Sequence, residues 1–258
     1  MKVKFTVPTS KEQITISQYQ ELERVRELNE DSDDGAFLVE KMVSIFCDVD
    51  MKDLRHIQYD HYERIVDELN KAFDHKPKHK QVIEIDGQKF GMIPNFDKMS
   101  FGEYVDLDEY VKTPADHHKF MAVLYRPITL TIKDAYSIEP YEGSEKYSSI
   151  MKYASVADLE GALVFFWSLA SELLETTKAY LLEASTKTST ATEQTSEGNM
   201  DGINPSSLWQ MMTLLESAKS LSSTSTNAFT SYNLIRSVWT SNKEKLKQQE
   251  TGSDEAVL

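Results

Sequence analysis

Two histidine pairs and a single cysteine come nearest, by type and spacing, to metal or nucleophile chemistry. His75 and His79 in "HKPKHK" stand four apart, a spacing that puts two imidazoles on one helix face. Pro77 lies between them, and an internal proline removes a helix hydrogen bond and clashes with the preceding turn. Lys76, Lys78 and Lys80 also oppose a bound cation, so a solvated basic loop is expected. His117 and His118 are adjacent, which on a helix points them about 100° apart. Cys47 lies between Phe46 and Asp48 with no close ligand pair beside it. It is expected to be a small buried residue, neither nucleophile nor zinc ligand.

The carboxylates offer two further patterns. In "NEDSDDGAFLVE", Asn29, Asp31, Asp33 and Glu40 imitate a calcium loop. Such a loop needs glycine at its sixth position for a sharp turn. Asp34 stands there and Gly35 comes one place late, which favours a plain acidic turn. "FGEYVDLDEY" gathers Glu103, Asp106, Asp108 and Glu109, residue types that in pairs serve acid–base chemistry. Charge at a solvated helix end accounts for them more simply. The 9 glycines form no phosphate-binding cluster. The expectation is a protein that is not an enzyme and holds neither cofactor nor metal.

Composition narrows the class. With 258 residues the chain can bury a substantial core, as one large domain or two small ones. A net charge of −14 argues against a main task of gripping nucleic acid phosphates. One cysteine allows no internal disulfide, and "MKVKFTVPTSKEQ" lacks the apolar stretch of a signal peptide. A reducing compartment is therefore expected. The most apolar segment is "GALVFFWSLASELLETTKAYLLE", 161–183. Ser168, Ser171, Glu172, Glu175 and Lys178 interrupt it, so it is read as a core helix rather than a membrane span.

Around these residues the periodicity lays out a mainly α fold with a small β component, an α+β class. "KVKFTVP" and "QITI" read as short N-terminal strands. A helix follows with Ser17 and Gln20 as its capping box, then a second from Ala36 and a third from Tyr59 to Phe73. "VIEIDGQKFGMI" signals a β-hairpin near 82–93. "SFGEYVDLDEYV" opens with a Ser-x-x-Glu box, and "DHHKFMAVLYRP" reads as a helix stopped by Pro127. Residues 128–140 look extended, with a short helix after them. Ser155 and Asp158 cap the long apolar helix, whose Leu159, Leu163, Val164, Phe165, Phe166 and Trp167 suit a helix surrounded by others.

Composition then shifts. The core domain is expected to span 1–184, followed by a Ser/Thr-rich linker at 185–204. A C-terminal helical hairpin is expected at 205–247 and an acidic frayed tail at 248–258. Trp209, Met211, Met212, Leu214 and Leu215 put a soft apolar face on the first hairpin helix. Such Met- and Trp-rich faces are adaptable protein-binding surfaces. They are the candidate partner-binding residues, with folding back onto the core as the alternative.

The combined pattern resembles a known family. "ITISQYQELERV" followed by "FLVEKMVSIFCDVDMKDLRHIQYDHYERIVDEL" is similar to the opening of tail assembly chaperones and related small proteins of tailed bacteriophages. "MSFGEYVDLDEYV", "HKFMAVLYRPI", "GALVFFWSLASELL" and "NLIRSVWTSNKEKLKQQ" resemble segments of phage structural-module proteins. The resemblance implies a non-enzymatic morphogenesis protein of the infected host cytoplasm that binds tail or other structural proteins such as the tape measure. Charge and the interrupted apolar segment already argue against nucleic acid and membrane as partners, with self-association open. The alternative is a virion component, such as a head–tail connector or internal cargo protein.

Overall fold

The computed structural model describes residues 4–29, 35–74, 78–133, 135–166 and 168. Within them, Thr15 sets the first helix. Its hydroxyl accepts the Gln18 N–H at 3.2 Å while Gln18 Oε1 accepts the Thr15 N–H at 3.0 Å, a reciprocal capping box. Helix α1 then runs Ile16–Leu28. The box lies two residues before the expected Ser17–Gln20 pair. Gln20 is committed elsewhere, with its Nε2 donating to the Pro114 and Ala115 carbonyls at 2.8 Å each.

Helices α2 (Gly35–Phe46), α3 (Met51–Leu54) and α4 (Tyr59–Phe73) follow. The apolar stripe of α2, Leu38, Val39, Met42, Val43 and Phe46, is buried. So is that of α4, Ile65, Val66, Leu69 and Ala72. Phe46 and Phe73 stack between them with centroids 5.5 Å apart.

The hairpin forms where the Asp-Gly pair signalled it. Strands β1 (Val82–Ile85) and β2 (Gln88–Met92) pair antiparallel. Asp86 and Gly87 turn between them with φ of 49° and 79°, the positive values that a two-residue hairpin turn needs. Ser100 then caps helix α5 (Phe101–Tyr110) through a box with Glu103. Helix α6 (His117–Leu124) passes without a break into strand β3 (Tyr125–Ile132), which pairs with β4 (Ala135–Ile138). The sheet is antiparallel in the order β1-β2-β3-β4. Helix α7 (Glu145–Met151) and helix α8, described from 156 to 166, complete the fold. The Ser155 hydroxyl accepts the Asp158 N–H at 3.0 Å to start α8.

The architecture is mainly α with a small β component, and some expectations need correction. Residues 4–8 form no strand: Phe5 and Val7 pack on the core, but no ladder includes them. "QITI" contributes only the isolated bridge of Thr15 with Ser155, flanked by Ile16 N–H to Ala154 O at 2.9 Å and Val156 N–H to Ile14 O at 2.8 Å. Pro127 does not stop α6, which ends at Leu124; it sits inside β3. Its carbonyl accepts the Glu139 N–H on the β4 side. The N–H that proline lacks would point to that same side, toward the Glu139 carbonyl, which accepts Arg126 Nε at 2.8 Å instead.

Helix α8 is not apolar-buried all round. Leu159, Ala162, Leu163 and Phe166 are inside, and Phe166 meets the Phe120 ring edge-on at 5.8 Å, but Val164 is 46% exposed. The Trp167 side chain, the expected end of the core domain at 184, the linker 185–204, the hairpin 205–247 and the tail 248–258 lie outside the described residues.

Candidate functional site

Glu103, Asp106 and His118, singled out by type, are each tied to another part of the fold. Glu103 is not a solvated helix-end charge. Its Oε1 lies 2.6 Å from Arg126 Nη1, with both side chains 7% exposed. Its Oε2 accepts the Ser100 N–H at 2.6 Å. Burial alone would raise the Glu103 carboxyl, but the Ser100 bonds and the Arg126 guanidinium outweigh it and hold it below the usual range. Asp106 accepts the Tyr141 hydroxyl, and Asp108 pairs with Lys112 at 2.7 Å.

His117 opens α6 with both ring nitrogens buried and no partner in hydrogen-bond geometry. Burial pushes it down to about 4, against the opposing pull of the Val111 carbonyl. His118 turns away toward α1, its Nδ1 3.0 Å from Gln20 Nε2. His79 stacks on Phe165 at 4.3 Å, and burial lowers it; His75 is outside the described residues. Cys47 is buried at the end of α2, its thiol pushed up to about 12 by burial and by Glu68. Such a thiol is a packing group. Among the described residues no three His, Cys, Asp or Glu side chains gather as metal ligands.

The sheet supplies a different kind of site. Cross-strand pairs share one face, so the register places Phe90 with Pro127 and Met92 with Tyr125 on one side of the sheet. All four are buried, and Phe90 meets the Tyr147 ring of α7 edge-on at 6.0 Å. The opposite side carries Gly91 with Arg126. A Cβ built on Gly91 would strike the Tyr136 ring and Ile138, so these two belong to the Gly91 side. A register shift between Ile128 and Leu130 then sets the rest of the ribbon. Leu130, paired with Ser137, and Ile132, paired with Ala135, fall on the Phe90 side.

The side of the sheet that forms the core therefore continues past the helices onto Leu130 and Ile132. There it is uncovered: Leu130 is 53% and Ile132 61% exposed. Scattered surface leucines need no explanation. An apolar pair that prolongs a core face beside an edge strand does. β4 is that edge, and its "AYSI" contains neither the proline nor the lysine that commonly blunts one. The alternation Leu130-Thr131-Ile132 carried this signal in the sequence, but neither the register shift that sets Ile128 on the other side nor how far the helices cover the face.

The expected partner-binding residues Trp209, Met211, Met212, Leu214 and Leu215 lie outside the described residues. No protein-family model, curated protein or solved structure matches the chain. Among the described residues no helix is long and apolar enough to cross a membrane.

Proposed function

We propose that the chain is a binding protein rather than an enzyme, and that it receives an apolar segment of a protein partner on the uncovered end of its sheet. The observation that carries this reading is the continuation of the buried Phe90 face onto exposed Leu130 and Ile132. Covering the exposed half of each side chain would contribute on the order of 1 kcal/mol, and the open β4 edge offers backbone hydrogen bonds to an added strand. The Glu103–Arg126 and Asp106–Tyr141 contacts support the reading, because they tie α5 to the start of β3 and to the segment after β4. The resemblance to tail assembly chaperones supplies the partner class: phage tail proteins such as the tape measure, held in the host cytoplasm until assembly. The Trp209–Leu215 stripe is the second apolar surface available for the same work.

Co-expression with a tape-measure protein tests this. The wild-type chain is expected to co-purify with it, and the Leu130→Thr/Ile132→Thr variant to lose at least tenfold of the captured partner. Equal capture by both chains removes the ribbon from the interface. Mass spectrometry of purified particles separates the two places of action, since a chaperone is absent from them and a virion component is present at fixed copy number.

A further inference from the structure

We infer that the sheet takes its partner as one extended strand added antiparallel to β4, with large apolar residues at alternate positions and a basic residue at its N-terminal end. The inference deepens the proposed function and rests on its reading of the Leu130–Ile132 face as a receiver of apolar segments.

Backbone geometry selects an extended occupant. The Glu139 N–H donates to the Pro127 carbonyl, and the Ser137 carbonyl accepts the Thr129 hydroxyl, so both residues direct backbone groups at β3. Successive residues of a strand direct theirs to opposite edges. Tyr136 and Ile138 therefore turn their N–H and C=O groups outward, where β4 is the edge of the sheet. Among the described residues nothing bonds to these backbone groups. A helix laid on the face would leave them to water, whereas an added strand pairs with them.

Side chains select the pattern. On the Leu130 side β4 presents Ala135 and Ser137, both small and exposed. A large residue opposite either one can lean over it onto Ile132 or Leu130. Residues between them face the side that the Tyr136 ring closes by crossing β2, and they can be polar. Charge selects the end. Past Ile138, Glu139 and Glu142 share the Lys146 ammonium at 3.0 and 3.1 Å, two carboxylates on one cation. Antiparallel addition, the pairing used throughout this sheet, brings the N-terminal end of the added strand there, and a lysine or arginine complements it.

The test uses the full chain and an end-blocked peptide, Lys-Thr-Ile-Thr-Ile, whose isoleucines fall opposite Ser137 and Ala135. At saturation it is expected to slow hydrogen exchange of the Tyr136 and Ile138 amides about fivefold and to leave α4 unchanged, read by NMR. N-methylation of the second threonine keeps every side chain but removes the donor opposite Tyr136, and should weaken binding at least tenfold. Equal binding of the methylated peptide overturns strand addition. Glutamate in place of the lysine should bind several-fold more weakly, and equal affinity overturns the basic end. Tyr136 and Ile138 amides already protected in a dimeric free protein overturn the inference by placing a second copy on the edge. If the peptide fails while tape-measure capture still depends on Leu130 and Ile132, the proposed function stands and strand addition falls. Peptide binding as expected, with capture indifferent to those two residues, keeps the edge as a strand acceptor and removes the tape measure as its partner.

Discussion

Arg126 Nη1 stands 2.6 Å from Glu103 Oε1, and the pair joins α5 to the start of β3. Arg126 spends its other donors on backbone: Nε donates to the Glu139 carbonyl at 2.8 Å and Nη1 to that of Val123 at 3.2 Å. Its guanidinium lies 5.4 Å from the centre of the Tyr141 ring. Three segments meet on one cation. The pair therefore sets the position of the strand that carries the exposed ribbon.

Removing one member strands the other as a buried charge. Arg126→Met is expected to destabilise the protein by about 3 to 5 kcal/mol, read as a fall in the urea midpoint. Arg126→Met combined with Glu103→Gln should cost clearly less than the two single changes summed. Strict additivity would mean that the two groups do not interact.

The acid limb of stability should carry the signature of His117. Its folded value of about 4 is below the ordinary 6.5, so the unfolded chain takes up a proton first as pH falls. The stability due to the neutral ring is complete above about pH 6.5 and lost as pH falls toward 4, roughly 3 kcal/mol in all. His117→Leu should flatten urea midpoints in this window. Glu103, held below the usual range, loses its contribution at lower pH as the carboxylate protonates. Glu160 works in the opposite sense, because burial raises it against the pull of Lys11 at 2.7 Å. A His117→Leu profile parallel to wild type from pH 6.5 to 4 would contradict the assignment.

Gly91 makes room for the Tyr136 ring, which crosses β2 so that its hydroxyl donates to the Met92 carbonyl at 2.9 Å and approaches that of Gln81 at 3.2 Å. Gly91→Ala should push the ring aside and cost about 1 to 3 kcal/mol. Amide hydrogen exchange should quicken in β4 more than in α4. Tyr136→Ala placed in the Gly91→Ala background should restore no worse stability than Tyr136→Ala alone, since the clash is then gone.

Local chemistry was readable wherever a signal and its partner lay within a few residues. The Tyr59–Phe73 helix, the Asp86–Gly87 turn and the Ser100–Glu103 box are of this kind, each complete within a short stretch of chain. Signals decided at a distance were not. Gln20 loses its capping role to carbonyls 94 and 95 residues away. Phe5 and Val7 alternate like a strand, but they pack on the core and enter no ladder. Glu103 reads as surface charge until Arg126 is brought to it by the sheet. The ribbon was legible as extended chain, while its exposure depends on where α5 to α8 end.

That exposure leads to the sharpest contrast between positions on one sheet face. Tyr125 is fully buried and Ile132 is 61% exposed, although the register puts both on the same side. Tyr125→Ala should cost about 3 to 5 kcal/mol through the cavity it leaves and the lost bond from its hydroxyl to the Lys80 carbonyl at 2.7 Å. Leu130→Thr and Ile132→Thr keep strand-forming side chains and remove little buried area, so each should shift stability by no more than about 0.5 kcal/mol. Thermal melts and urea titrations of the three variants check this. A large loss at Ile132 would make the ribbon part of the core, and a surface that the fold itself requires has no freedom to exchange partners.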